Sequence, residues 1–278
     1  MSEKSSESVA PRTFPVAALQ MVSTPDRDRN LADAARLIGE AARGSAQLVL
    51  LPEYFCFMGF KDTDKLAIRE TPGAGPIQQF LSEMAREHRV WIIGGTLPLQ
   101  SAEPDRVLNT TLVFDPSGAQ VACYDKIHLF NFEKGEDKFD EARTICPGSE
   151  TRTFDAPFGR VGLSVCYDLR FPELYRKLED CALMVVPSAF TYTTGQAHWE
   201  TLLKARAVEN QCYVLAAAQG GKHENGRRTW GHSVLIDPWG DIVAVKDEGA
   251  GVVAGGIDLD RIAAVRQSLP AYRHRVIG

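Results

Sequence analysis

The sequence predicts an α/β protein built as a four-layer α/β/β/α sandwich of two similar halves. Short apolar runs of strand length alternate along the chain with segments of helical periodicity. Two hairpin segments share a pattern: residues 113–122 read VFDPSGAQVA, and residues 235–244 read LIDPWGDIVA. Because they occupy equivalent places in the two halves, we expect each half to form a sheet with helices on one side. The two bare sheet faces then pack together.

The first half begins with a predicted strand at 14–21 and a helix at 30–43, which opens among Asp and Asn residues and ends at Gly44. The other elements predicted there are a buried strand at 47–51, a helix at 76–88, a strand at 90–94 and hairpin strands at 110–114 and 121–124. Residues 131–149 are polar and predict a loop.

The second half repeats this order. Its predicted elements are a strand at 160–166, a helix at 172–178, a strand at 182–186, a helix at 198–210, a strand at 212–218 and the second hairpin. We expect a single domain over residues 14–278. Residues 1–13, MSEKSSESVAPRT, are polar and have no apolar signal-peptide core, which predicts a disordered leader.

Composition narrows the possible functions. The chain has 278 residues, of which 44% are hydrophobic, and this is enough to bury a core without disulfides or metals. Its net charge of -5 argues against a nucleic-acid partner, and no apolar run is long enough to cross a membrane. The six cysteines have no CxxC spacing, and no histidine pair has a metal-ligand spacing. We therefore expect a cytoplasmic protein with neither a metal nor an organic cofactor.

Three reactive side chains come at the ends of apolar runs. Cys166 ends GLSVC, Glu53 follows QLVLLP, and Lys126 follows VACYD. Each has a structural interpretation when taken alone, Cys166 as a core thiol and the other two as a buried ion pair. Together they favour a nucleophilic site, since α/β proteins place their chemistry at the carboxyl ends of strands. The histidines have no spacing typical of a thiol protease.

The segments around these residues are LPEYF, YDKIHLF and GLSVCYDLRFPE, and together they resemble the three motifs of the nitrilase, or carbon-nitrogen hydrolase, superfamily. The resemblance extends from Pro15 to the end of the chain. Glu53, Lys126 and Cys166 match the Glu-Lys-Cys triad of that family in order and separation. Glu141, in FDEAR, matches a fourth carboxylate of the family's active site. The resemblance implies the same sandwich fold and a homodimer or higher homo-oligomer.

The resemblance also implies a mechanism. Cys166 would attack an amide carbonyl and form a thioester, while Glu53 would carry the proton to the leaving nitrogen and then activate water. Lys126 and the backbone N–H of Tyr167 would stabilise the oxyanion. Glu141 would either orient Lys126 or bind the substrate nitrogen.

Further residues are predicted to bind the substrate. The side chain of Tyr167, together with Phe190 and Thr191 in PSAFT, is expected to line the pocket. Arg170 is a candidate for binding a substrate carboxylate, with a local ion pair to Asp168 as its structural alternative. Lys134 or Lys138, from the polar loop, are further candidates as gate residues.

The second half, with WGHSVLIDPWG and LPAYRHR, resembles the deaminated glutathione amidase branch most, and the stretch that contains AAAQ and the loop KGEDKFDE carry this assignment. That branch releases 2-oxoglutarate and cysteinylglycine. The alternatives are an ω-amidase acting on 2-oxoglutaramate and an N-carbamoyl amino acid amidohydrolase, against which Leu169-Arg170 speaks because carbamoylases often carry two arginines there. A non-catalytic scaffold or sensor that binds a small amide is the alternative from another class.

Overall fold

Two β-sheets lie face to face at the centre of the molecule, and helices cover their outer faces. We describe this architecture from a computed structural model over residues 13–134 and 137–276, without the side chains of 134, 137 and 138. The leader predicted for residues 1–13 lies outside the described residues, except for Thr13, which opens the first strand.

In the first half, the structure contains the helices α1 (Arg27–Arg43) and α2 (Pro76–His88) and the strands β1 (Thr13–Gln20), β2 (Leu48–Leu50), β3 (Trp91–Ile93), β4 (Leu97–Gln100), β5 (Val107–Phe114), β6 (Gln120–Asp125), β7 (Asn131–Lys134), β8 (Asp137–Asp140) and β9 (Ile145–Cys146). The chain forms 3-10 turns at Asp62–Ile68 and Glu141–Arg143.

In the second half, the helices are α3 (Pro172–Lys177), α4 (Tyr192–Asn210) and α5 (Leu259–Ser268), and the strands are β10 (Thr153–Ala156), β11 (Gly159–Leu163), β12 (Leu183–Ser188), β13 (Tyr213–Ala218), β14 (Gly220–Lys222), β15 (Arg228–Trp230), β16 (Ser233–Ile236), β17 (Ile242–Lys246) and β18 (Gly251–Asp258). Further 3-10 turns lie at Cys166–Arg170 and Ala271–His274.

The two sheets share a common plan. The first follows the order β18-β1-β2-β3-β5-β4, with β6 and β9 both paired to β5, and the second follows β10-β11-β12-β13-β16-β17. The strands β1, β2 and β3 are parallel, as are β11, β12 and β13, and each set is followed by an antiparallel hairpin. This repetition confirms the two similar halves that the hairpin sequences predict.

Alternate residues of the central strands face the two sides of each sheet. In β1, Val16 and Ala18 belong to the core between the sheets, whereas Ala17 and Leu19 pack with α1 and α2. Because both faces are buried, the strand reads as a continuous apolar run rather than an alternating one. The four-layer sandwich predicted from the sequence is therefore confirmed.

Several predicted bounds are wrong. The helix predicted at 198–210 begins at Tyr192, because Thr191 caps it by accepting a hydrogen bond from the Thr194 N–H. Helix α1 likewise begins at Arg27, after the capping carboxylate of Asp26. The polar loop predicted at 131–149 contains the β7–β8 hairpin, a 3-10 turn and β9. The prediction depended on an apolar pattern, but backbone hydrogen bonds between β7 and β8 form without one.

Candidate active site

Cys166 lies on a strained turn and not at the end of a strand as the sequence predicted. Strand β11 ends at Leu163, and Cys166 opens the following 3-10 turn with a φ of 48°. Residues other than glycine rarely adopt this left-handed backbone conformation, and such strain is common at active sites. The run GLSVC is apolar throughout, so its sequence contains no sign of the break between strand and turn.

Asp168 holds this turn in place. Its carboxylate accepts hydrogen bonds from the Val165 N–H at 2.8 Å, the Tyr124 hydroxyl at 2.6 Å and the His128 N–H at 3.0 Å. The Nδ1 atom of His128 lies 2.7 Å from the same carboxylate. Asp168 therefore pairs with His128 and not with Arg170, and it joins the turn of Cys166 to the segment that follows β6.

Lys126 is completely buried between two carboxylates. Its Nζ lies 2.9 Å from Oε1 of Glu53, 2.7 Å from Oε2 of Glu141 and 3.0 Å from Oε1 of Glu141. Both Lys126 and Glu53 lie just beyond strand ends, since β6 ends at Asp125 and β2 at Leu50. A single ammonium group thus links residues that are far apart in the sequence.

The carboxylate of Glu53 has further partners in both halves of the molecule, among them the thiol of Cys166. Oε1 accepts a hydrogen bond from Nδ2 of Asn109 at 2.9 Å, and Oε2 accepts one from the N–H of Ala189 at 2.9 Å. Glu141 is held in a similar way, by the Tyr54 hydroxyl at 2.8 Å and the Phe130 N–H at 2.7 Å. Both carboxylates are therefore fixed in orientation.

Burial changes the proton affinities of the groups in this cluster. It raises the pKa of the Glu53 carboxyl above its ordinary value, and it outweighs the stabilisation of the carboxylate by Lys126. Burial and the carboxylate of Glu53 also raise the pKa of the Cys166 thiol well above its usual value. A thiol in this environment keeps its proton at neutral pH, so it needs a base at the moment it attacks.

The pKa values of Lys126 and Glu141 are shifted in the directions that favour the charged forms of both groups. Burial alone would lower the pKa of Lys126, but the carboxylates of Glu141 and Glu53 outweigh it and raise that pKa well above its usual value. Burial would raise the pKa of Glu141, yet Lys126 outweighs it and lowers that pKa. The ammonium group of Lys126 therefore stays positive beside Cys166.

A cavity of about 520 Å³ opens over this cluster. Glu53, Glu141 and Cys166 contribute to its wall. The four side chains predicted to bind substrate line the same cavity: Tyr167, Arg170, Phe190 and Thr191. Its size falls in the range typical of small-molecule sites.

Two aromatic rings contact the guanidinium group of Arg170. Its guanidinium carbon lies 5.9 Å from the ring centre of Tyr167 and 5.7 Å from that of Phe190, within the range of cation–π contacts. The ring of Tyr167 also contacts those of Phe130 and Phe171 edge-on, at 5.2 and 5.3 Å. The cation is thus held on an apolar wall.

Sequence reasoning missed three cations that also line the cavity, which are Lys65, Arg227 and Arg228. The signal for the arginines was their position beside Gly226 in a polar segment between two apolar runs, which is typical of a hairpin. The side chains of Lys134 and Lys138, the predicted gate residues, lie outside the described part of the structure. Within that part, no group of side chains is arranged to hold a metal ion. None of its helices is long and apolar enough to span a bilayer.

The fold, and a family model that matches residues 15–267, define the class: the chain belongs to the carbon-nitrogen hydrolase family, the nitrilase superfamily. It is 42% identical to a deaminated glutathione amidase of Synechocystis, with 95% of this chain and 99% of that protein covered. The protein is an amidase.

Solved structures agree with this assignment. The Saccharomyces cerevisiae protein Nit3, a member of branch 10 of the nitrilase superfamily, superposes with a TM-score of 0.86 at 31% identity, over 99% of this chain and 100% of that one. A Glu-to-Gln mutant of an amidase from Nesterenkonia, with the acetamide moiety of fluoroacetamide bound covalently to its active-site cysteine, superposes with a TM-score of 0.78 at 25% identity, over 94% and 95% of the two chains.

Proposed function

We propose that the protein hydrolyses deaminated glutathione to 2-oxoglutarate and cysteinylglycine through a thioester on Cys166. The observation that carries this proposal is the ammonium group of Lys126, buried between Glu53 and Glu141 beside the cysteine at the wall of a cation-lined cavity. The similarity to a deaminated glutathione amidase over nearly the whole chain supports the choice of substrate.

Acylation begins with proton transfer from the thiol of Cys166 to Glu53. The sulfur attacks the amide carbonyl carbon, and the oxyanion that forms is stabilised by Nζ of Lys126 and the N–H of Tyr167. The tetrahedral intermediate then collapses, the C–N bond breaks, and Glu53 gives the proton to the departing amine. The raised pKa values of Glu53 and Cys166 support this order of steps. The thiol keeps its proton until a base removes it, and the high proton affinity of the Glu53 carboxylate makes it a suitable base.

Deacylation uses the same base. Glu53 takes a proton from a water molecule, whose oxygen attacks the thioester carbonyl, and Lys126 again stabilises the oxyanion. When the C–S bond breaks, Cys166 regains its proton and the acid product leaves. Glu141 acts as a positioning residue, since both of its oxygens contact Nζ of Lys126.

The substrate is a dianion, and the cavity offers cations to receive it. We assign Arg170, which follows Cys166 by four residues, to the carboxylate of the 2-oxo acid, while Tyr167, Phe190 and Thr191 form the wall around the acyl chain. A 2-oxoglutaramate molecule would use the same contacts, but it would leave much of the cavity of about 520 Å³ unfilled. Cavity size therefore favours the longer substrate.

A substrate panel tests the function. The enzyme is given deaminated glutathione, 2-oxoglutaramate and an N-carbamoyl amino acid, and kcat/KM is measured for each by product release. We expect deaminated glutathione to be preferred by tenfold or more, roughly the effect of one or two extra binding contacts. Cys166→Ala is the control for background hydrolysis. A higher kcat/KM for either of the other compounds would contradict the proposal.

We further infer that the enzyme is a cytoplasmic homodimer or higher homo-oligomer. The family resemblance supports the assembly, and the six cysteines, all of which are free thiols, support a reducing compartment.

A further inference from the structure

Two adjacent arginines line the cavity but have no part in the chemistry described above. Arg227 and Arg228 lie where the β14–β15 hairpin returns from its turn, next to Gly226, whose φ is 85°. The Arg228 side chain is 49% exposed and that of Arg227 is 34% exposed, whereas Cys166 is only 7% exposed. The arginines therefore lie at the rim of the cavity, and the nucleophile lies at its inner end.

Each arginine is held between a carboxylate and an aromatic ring. Nη2 of Arg227 lies 2.5 Å from Oδ1 of Asp62, and its guanidinium carbon lies 5.5 Å from the ring centre of Phe139. Nη2 of Arg228 lies 2.7 Å from Glu248. A guanidinium has five N–H donors, so one such contact leaves others for a ligand. A pre-oriented arginine also loses less entropy when it binds an anion.

Arg228 has a close contact with the first residue of α4. Its guanidinium carbon lies 3.8 Å from the ring centre of Tyr192. The hairpin is fixed to the same junction by its backbone, since the N–H of Trp230 donates to the carbonyl of Phe190 at 3.0 Å and Thr191 pairs with Thr229. The arginines are thus attached to the segment that forms the wall of the acyl site.

The charge on the cavity wall favours a dianion. Apart from Glu53 and Glu141, which pair with Lys126, the described carboxylates of the lining are Asp62 and Asp140. The cations of the lining are Lys65, Arg170, Arg227 and Arg228, so that with Lys126 the described residues of the site supply five cations against four carboxylates. They belong to different elements, with Arg170 on the turn of the nucleophile and the arginine pair on the hairpin.

We propose that Arg227 and Arg228 bind the terminal carboxylate of the dipeptide leaving group. This proposal rests on the function proposed above and assigns the part of the substrate beyond the scissile amide. Deaminated glutathione has a carboxylate at each end, with the scissile amide between them. Arg170 receives one carboxylate and the arginine pair receives the other. The leaving group of 2-oxoglutaramate is ammonia, which gives the pair nothing to bind, so these two residues determine specificity for the longer substrate.

The test compares deaminated glutathione with its C-terminal glycinamide, which differs only in lacking the second carboxylate. For the wild-type enzyme, we expect kcat/KM for the acid to exceed that for the amide by about tenfold to a hundredfold, the effect of hydrogen bonds to a charged group. In Arg227→Gln and Arg228→Gln this ratio should fall toward one, and furthest in the double variant. Arg29→Gln is the matched control, because Arg29 pairs with Glu224 of the same hairpin and does not line the cavity.

The outcomes separate the two proposals. If the wild-type enzyme hydrolyses neither compound, the proposed function itself fails. If it hydrolyses both at equal rates, or if the variants keep the wild-type ratio, only the assignment of the arginine pair is overturned. An equal fall of the ratio in Arg29→Gln would also overturn it, because the effect would then come from a general change in surface charge.

Discussion

In the proposed mechanism, both half-reactions depend on Glu53. It is 1% exposed, and its carboxylate contacts Lys126, Asn109 and the N–H of Ala189. A structural ion pair and a general base share these contacts, but the two roles predict different effects of an isosteric substitution. The sequence predicts a catalytic role for this residue from its place after a buried strand and from the family motif, and that role stays a prediction. It did not predict Asn109 or Ala189, because those contacts form only when distant segments pack together.

Replacing the base while keeping its shape distinguishes the two roles. If Glu53 is the general base, Glu53→Gln should lower kcat by about a hundredfold to ten-thousandfold, because the amide cannot take the proton of the thiol. Single-turnover kinetics on protein checked by circular dichroism measures this loss. Glu70→Gln is the control: Glu70 is also a buried carboxylate, but it accepts hydrogen bonds from the N–H groups of Ile77 and Gln78 at the start of α2.

The Glu70→Gln control should lose stability and keep its turnover.

The pH dependence of activity is a second test of Glu53. The base must be ionised to act, so activity should fall as the pH drops through the pKa of Glu53. Burial raises the pKa of Glu53 above 4.5. In a plot of kcat/KM against pH, the fall on the acid side should therefore occur at a higher pH than the pKa of an ordinary carboxyl. Near-native turnover in Glu53→Gln, or an acid limb at or below 4.5, would favour the structural ion pair.

Among the elements, the 3-10 turn Cys166–Arg170 has the most influence on the site. Two buried side chains stabilise it: Asp168, which contacts Tyr124, Val165 and His128, and Arg206, which donates two hydrogen bonds to the carbonyl of Leu169. The sequence predicted a strand through Cys166, since local apolar pattern does not reveal a turn that a buried carboxylate stabilises. It predicted α2 with the correct bounds, because Pro76 and the apolar spacing are local signals.

Asp168→Asn tests the role of this turn. The amide of asparagine offers one acceptor oxygen where the carboxylate of Asp168 has two, so a buried donor loses its partner. We expect the change to lower the free energy of unfolding by about 1–3 kcal/mol, the cost of leaving such a group unsatisfied. The kcat should fall by about tenfold to a hundredfold with little change in KM, since the nucleophile is displaced while the binding cations remain.

Urea unfolding and steady-state kinetics measure the two effects. Asp115→Asn is the control, because Asp115 also accepts backbone hydrogen bonds in a turn, those of Ser117 and Ala119, but lies in the β5–β6 hairpin. A loss of stability in Asp168→Asn with unchanged kcat would show that the turn holds its shape without this carboxylate.

At the scale of the whole molecule, the site depends on both halves. Glu53 follows β2 of the first half, Cys166 follows β11 of the second half, and Ala189 follows β12 and donates to Glu53. The repeated hairpins predicted these two halves, and the apolar runs placed Glu53 and Lys126 near strand ends but did not reveal the turn of Cys166. The arginines of the β14–β15 hairpin were missed, because their place on the cavity wall depends on contacts between segments distant in the sequence, such as Trp230 with Phe190, and not on any local pattern.

The central claim is that Cys166 forms the acyl intermediate with Glu53 as its base. The most direct measurement is mass spectrometry of the enzyme quenched during a single turnover of deaminated glutathione, with peptide mapping of the adduct. We predict a 2-oxoglutaryl thioester on the peptide that contains Cys166, with neither adduct nor turnover in Cys166→Ala. Turnover in Cys166→Ala, or an adduct on another residue such as Cys56, would contradict this account.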